Sequence, residues 1–173
     1  MKQQAKRVAV CSMMAACSVV VMLLGAVLSL GMYLCPMLVG LSLMLIGREY
    51  GIRYQLMLWI VISVLCIILV PNPEENLMFA GLFGWYPALR PILERVPKSL
   101  RMLIKLLVFN TTVIALEALI IYVLVPEMLD SAMLFLLLLM GNVMFVMYDR
   151  VIPKFPDLAD RFIKKRGLPF GKP

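Results

Sequence analysis

Six apolar stretches, each about 17 to 23 residues long, divide this chain, and the connections between them alternate between basic and acidic. Roughly 20 apolar residues in a helix cross the ~30 Å hydrocarbon core of a bilayer, and in lipid every backbone polar group must be satisfied within the segment. The pattern therefore predicts an all-α integral membrane bundle of about six transmembrane helices. The stretches run from about Val8 to Leu30, Gly31 to Gly47, Tyr54 to Val70, Leu77 to Leu93, Leu103 to Val125 and Ala132 to Tyr148. Of the 173 residues 63% are hydrophobic and only 16% charged, which leaves no room for a separate soluble domain. The expected division is a six-span transmembrane domain over 1–150 and a basic cytoplasmic tail over 151–173.

The first stretch follows Lys2, Lys6 and Arg7, as a secretory signal would, but its length exceeds the roughly 7–15 apolar residues of a cleavable one. It is read as a span that stays. Orientation follows from the cations. Three precede the first span and two, Arg48 and Arg53, lie between the second and third. Five (Arg90, Arg95, Lys98, Arg101 and Lys105) surround the link from fourth to fifth, and seven lie from Arg150 to Lys172. The intervening connections carry Glu74, Glu75, Glu127 and Asp130 and no cation. The positive-inside rule then places both termini in the cytoplasm of a multi-pass cell-membrane protein. The net charge of +7 is accounted for by anionic lipid on that side, and no nucleic-acid partner is expected.

Several absences narrow the chemistry. The chain has no histidine, which removes the commonest metal ligand and general base, and it has no phosphate-binding G-x-x-x-x-G-K-[ST] loop. No catalytic residue, metal or cofactor is expected, and an enzyme is the least favoured class. Cys11, Cys17, Cys35 and Cys66 have no C-x-x-C spacing and read as small hydrophobes, with a Cys35–Cys66 bridge at the outer face as the minor alternative.

Glu117 is the carboxylate set deepest in an apolar stretch, about 18 Å along the helix from Lys105 and about 12 Å short of Val125. An acid there is costly unless paired, hydrated or protonated, so it is a candidate substrate contact; the plainer reading is a protonated interhelical bond. Asn142 falls at a similar depth on the sixth stretch, where its amide is within reach of Glu117 as a candidate substrate contact, although helix packing is the favoured account of it. Trp85 and Tyr86 precede Pro87, which with Pro91 interrupts the fourth helix, and are expected to line an outward-facing pocket or the core. Tyr33 and Asn76, with the acidic Glu74 and Glu75, complete an outer rim; Tyr is ordinarily an interface anchor there. On the first span Ala5, Ala9, Ser12 and Ala16 recur at helical spacing, a face suited to close contact with a partner helix. The tail around Leu158 to Ile163 suits a short amphipathic helix on the inner leaflet.

Taken together, the six short spans, the Ala5-to-Ala9 spacing repeated by Ser12 and Ala16, and the missing ATPase loop resemble the S components of energy-coupling-factor transporters. The segments 83–90 (FGWYPALR) and 142–150 (NVMFVMYDR) are also similar to those of small, poorly characterised membrane proteins of Gram-positive bacteria grouped with them. The resemblance implies a subunit that captures a vitamin or other micronutrient outside the cell. Its first span would meet a transmembrane coupling subunit, and two separate ATPases would drive import. The other reading is a membrane scaffold or assembly factor with no small-molecule ligand.

Overall fold

The computed structural model describes residues 2–28, 33–123 and 131–158, and every element among them is helical. In chain order these are α1 (Lys2–Leu28), α2 (Leu34–Tyr50), α3 (Ile52–Leu69), α4 (Pro73–Met78), a π-helical turn (Phe79–Phe83), α5 (Tyr86–Leu93), α6 (Lys98–Val123) and α7 (Ser131–Val151). Glu127, Asp130 and the tail residues Asp160, Arg161, Lys164, Lys165 and Arg166 lie outside the described residues, as does most of the amphipathic helix expected from Leu158 to Ile163.

Among the described residues, three helices are long and apolar enough to cross a membrane: Gln4–Leu28, Ile52–Leu69 and Leu100–Ile120. At 1.5 Å per residue their lengths of 25, 18 and 21 residues give about 38, 27 and 32 Å, which brackets the ~30 Å core. Their outward faces are as oily as their inward ones. On α3, Met57, Ile60, Val61, Val64, Ile67 and Ile68 are exposed while Ser63 and Gln55 are buried. On α1, Val8, Met13, Val20, Leu24 and Val27 are exposed. Continuous apolar surface of this extent is insoluble in water and natural against lipid. The chain is a membrane protein.

Two cores hold the helices together, and α2 belongs to both. Val39, Leu43 and Ile46 pack with α1 and α3 residues such as Ala15, Val19, Met22, Leu58 and Ile62. From the opposite side of α2, Met37, Leu41 and Met44 pack with Leu82, Phe83, Tyr86, Phe109 and Phe145. Each triplet has the i, i+4, i+7 spacing of one helical stripe, which is why α2 is apolar all round. Since lipid is as oily as leucine, these helices associate through packing rather than water exclusion, and close approach counts most. At Gly40 a methyl group would run into the Phe83 carbonyl and the Tyr148 hydroxyl, so only glycine allows α2 this near the π-helical turn.

The connection from α2 to α3, expected as a polar loop from Arg48 to Arg53, is a single residue. Both helices run into it, and Gly51 turns the chain with φ +96° while its N–H bonds the Gly47 carbonyl at 3.0 Å. Side chains other than hydrogen rarely tolerate that φ.

The fourth stretch is interrupted, as Pro87 requires, and the repair is specific. Pro87 has no N–H for the Phe83 carbonyl four residues earlier, and Tyr148 of α7 donates its hydroxyl there at 3.4 Å. Upstream, the Gly84 N–H reaches back five residues to the Phe79 carbonyl at 2.9 Å, which widens the helix into the π turn. The indole N–H groups of Trp59 and Trp85 donate to the Ala80 and Gly81 carbonyls at 3.2 and 2.6 Å. Backbone irregularity of this kind persists in an apolar setting only where side chains take up the acceptors it frees.

Candidate functional site

The inward stripe of α6 reads Lys105, Phe109, Val113, Glu117 and Ile120, all buried. Its spacing of four, four, four and three residues keeps both charges on the face turned to the bundle, a lysine at one end and an acid about 18 Å away at the other. Two polar clusters form around these ends.

At the lysine end, Asp149 of α7 is the hub. Its carboxylate accepts from Lys105 Nζ at 2.8 Å on both oxygens, from the Tyr86 hydroxyl at 2.8 Å and from Arg90 Nε at 3.1 Å. Arg90 also pairs with Glu94 at 2.6 Å. Two cations and two anions thus cancel, and Lys105, only 2% exposed, is tolerable there because its partner takes both sides of the ammonium. Arg101 Nη2 donates to the Glu94 and Val96 carbonyls at 2.7 and 3.2 Å, closing the turn between α5 and α6. This cluster joins α5, α6 and α7 and was not anticipated from the sequence, where Lys105 counted as a connection residue. The signal was available: Lys105 falls on the same four-residue stripe as Phe109 and Glu117. The cluster brings together segments 83–90 and 142–150 through Tyr86, Arg90 and Asp149.

Of the two placements open to Trp85 and Tyr86, an outward-facing pocket or the core, Tyr86 takes the core: it is fully buried and its hydroxyl donates to Asp149, while the Trp85 indole is engaged by its own π turn. Asn142 takes the helix-packing role rather than a contact with Glu117. Asn142 and Asn110 exchange amide bonds at 2.8 and 3.0 Å, and each also donates to the carbonyl four residues before it, Leu138 at 2.7 Å and Leu106 at 2.9 Å. The reason is register. With α6 and α7 antiparallel, the Lys105–Asp149 and Asn110–Asn142 pairs fix which residues face each other, and Asn142 then lies about two turns, roughly 10 Å, from Glu117's level.

At the Glu117 end, three elements converge: the start of α2 with Tyr33, α4 with Glu74, Glu75 and Asn76, and α6 with Glu117. The Asn72 side chain caps α4 by accepting from the Glu74 N–H at 3.2 Å, with Pro73 in the first turn. Glu74 and Glu75, adjacent on a helix, diverge. Glu74 and Glu117 both lie close enough to Tyr33 to act on it electrostatically, and Glu74 acts on Glu117 as well. Glu75 instead reaches Gly25 of α1 and the Cys35 thiol, with Cys66 also in its field. Asn76 donates to the Val70 carbonyl at 2.9 Å.

This end is rich in unmet polar atoms. The Tyr33 hydroxyl, one Glu117 oxygen, both Glu75 oxygens and Asn76 Oδ1 are buried without a hydrogen-bond partner among the described residues. Glu75, Asn76 and Glu117 are 0%, 4% and 6% exposed. Burial pushes the Glu75 carboxyl, in the connection ahead of the fourth stretch, up to about 7. Of the sequence candidates, then, Tyr33, Asn76 and Glu117 are gathered at one end, whereas Trp85, Tyr86 and Asn142 are engaged elsewhere. All four cysteines are free thiols, and Cys35 and Cys66 pack in the first core without a bridge.

Ala5, Ala9, Ser12 and Ala16 are exposed on α1, facing away from the bundle. Comparison with known proteins gives no match, whether to a family model, a curated protein or a solved structure.

Proposed function

We propose that this chain crosses the cell membrane six times with both termini in the cytoplasm and serves as the non-catalytic, substrate-binding subunit of a small-molecule importer, an S-component-like protein energised by separate ATPase subunits. The observation that carries the reading is the Glu117 end. Three helical elements there present buried polar atoms that the described fold leaves unsatisfied, and such groups cost free energy unless a ligand, water or proton takes them up. The basic connections all belong to the opposite end, which the positive-inside rule assigns to the cytoplasm, so the unsatisfied end faces outward. The partner side of the proposal is supported by α1, whose small-residue face is turned away from its own bundle and suits a helix of a transmembrane coupling subunit.

Two experiments test it. In a background lacking the native cysteines, a single cysteine beside Glu74 should react with an impermeant reagent added to intact cells, and one beside Arg95 should not. Reversed labelling refutes the orientation. Native mass spectrometry of the protein purified from its own host should show a retained small molecule and an accompanying membrane subunit with ATPases, and Glu117→Ala should lose the small molecule while remaining folded. Neither molecule nor partner in the wild-type protein would favour a scaffold instead.

A further inference from the structure

Among the described residues, every charged side chain at the Glu117 end is acidic, and all cations belong to the opposite half of their helices or to its connections. The sequence segments 29–32, 70–72 and 124–130 contain no lysine or arginine. Glu117 is 94% buried on the inward stripe of α6, with one oxygen unpartnered, and it shares its surroundings with the half-buried Glu74 and with the unpartnered Tyr33 hydroxyl. Acceptors therefore outnumber donors, and Tyr33, packed against the second core, lies within electrostatic reach of both carboxylates. A metal ion is the simplest counter-charge, but no three carboxylate or thiol groups among the described residues converge closely enough to ligate one. An organic cation meets both conditions. Its charged head supplies several N–H donors and is attracted to the face of a tyrosine, and it need not draw its carboxylates into one coordination sphere.

Resting on the importer reading above, we propose that the solute taken up at this end carries a protonated amine or guanidinium, held by Glu117 and Glu74 with Tyr33 against it. The test is thermal denaturation of the full chain in lipid nanodiscs. The probes are putrescine, agmatine and methylamine, set against acetate, glycerol and calcium ion. The expected result is saturable stabilisation by at least one organic cation, with half-saturation raised tenfold or more in both Glu117→Gln and Glu74→Gln and unchanged in Arg95→Gln at the opposite end. If Glu117→Gln fails to fold, Glu74→Gln and Tyr33→Phe carry the test. Stabilisation by acetate, glycerol or calcium alone overturns the cation class while leaving a binding subunit. Cation binding unaltered in Glu117→Gln and Glu74→Gln overturns the site. No stabilisation by any probe overturns the cation class, and with no small molecule retained from the host as well the importer reading falls too.

Discussion

Lys105 of α6 holds its ammonium 2.8 Å from each oxygen of Asp149 on α7, and the pair is nearly sealed from solvent. Two charges brought this close in an apolar bundle add little stability relative to a well-packed apolar pair, but removing one of them strands the other. Lys105→Met is expected to destabilise the fold by roughly 3 kcal/mol, because Arg90 then neutralises Asp149 from one side only. Lys105→Met with Asp149→Asn should recover part of that loss, giving a coupling above about 1 kcal/mol in a double-mutant cycle. Unfolding in mixed detergent and lipid micelles measures it; additive effects of the two substitutions would show that the contact carries no energy.

The Asn110–Asn142 pair makes a contrasting case. Both N–H groups of each amide are used, one on its partner and one on its own helix, so neither asparagine has a donor left for a ligand. Asn142→Ala is expected to cost about 1 kcal/mol, the usual scale of a polar bond between membrane helices. Replacing both asparagines by leucine should come closer to neutral, because no orphaned amide remains. The binding proposed at the Glu117 end should be unaffected in the double variant, and its loss would place Asn142 in that site.

Much of the architecture was legible because lipid imposes a simple code. The helical segments follow from uninterrupted apolar length, and the break in the fourth follows from Pro87, whose ring removes a fixed donor. What the sequence could not supply was register. Glu117 and Asn142 looked level when counted from the outer ends of their stretches, but side-chain pairs rather than stretch ends set how the helices face each other: Lys105 meets Asp149 and Asn110 meets Asn142, which leaves Glu117 about two turns away. The same limit hid the Asp149 hub, since counting cations for orientation treats Lys105 as a label of sidedness, whereas a lysine in phase with Phe109 and Val113 points inward. Trp85 and Tyr86 show a further gap: which carbonyls a π turn frees, and which side chains reach them, depends on neighbouring helices.

Gly40 and Gly51 are glycines for different reasons, and alanine separates them. At Gly51 the backbone has φ +96° and a Cβ would meet open space, so Gly51→Ala costs only conformational strain, roughly 1–3 kcal/mol. At Gly40 the helix conformation is ordinary, and the obstacle is the Phe83 carbonyl and Tyr148 hydroxyl. Gly40→Ala should therefore part α2 from the π turn and break the Tyr148 bond that compensates Pro87. Its signature is a rise in hydrogen exchange across 79–86 that Gly51→Ala does not produce. Equal exchange in the two variants would mean that the close approach of α2 contributes nothing to holding the broken helix.

Glu75 gives the fold a pH dependence whose sign can be worked out. Its carboxyl is fully buried with both oxygens unpartnered among the described residues, and burial raises it from an ordinary 4.5 to about 7. The folded protein therefore holds this proton more tightly than the unfolded chain does. Below about 4.5 both states are protonated and the contribution to stability is fully present. As pH rises through 7 the unfolded chain has already ionised freely, whereas the folded one must either keep the proton or bury a charge beside Gly25 and Cys35, so stability is lost across that window. The melting temperature of the wild-type protein should fall between pH 5 and pH 8. Glu75→Gln, which cannot ionise, should fall less, and the two curves should diverge most near pH 8 with the variant the more stable. Other acids titrate in both proteins and cancel in the comparison. Parallel curves would show that Glu75 finds a proton-independent partner, and its burial would then have to be compensated by solvent or by the connections beside it.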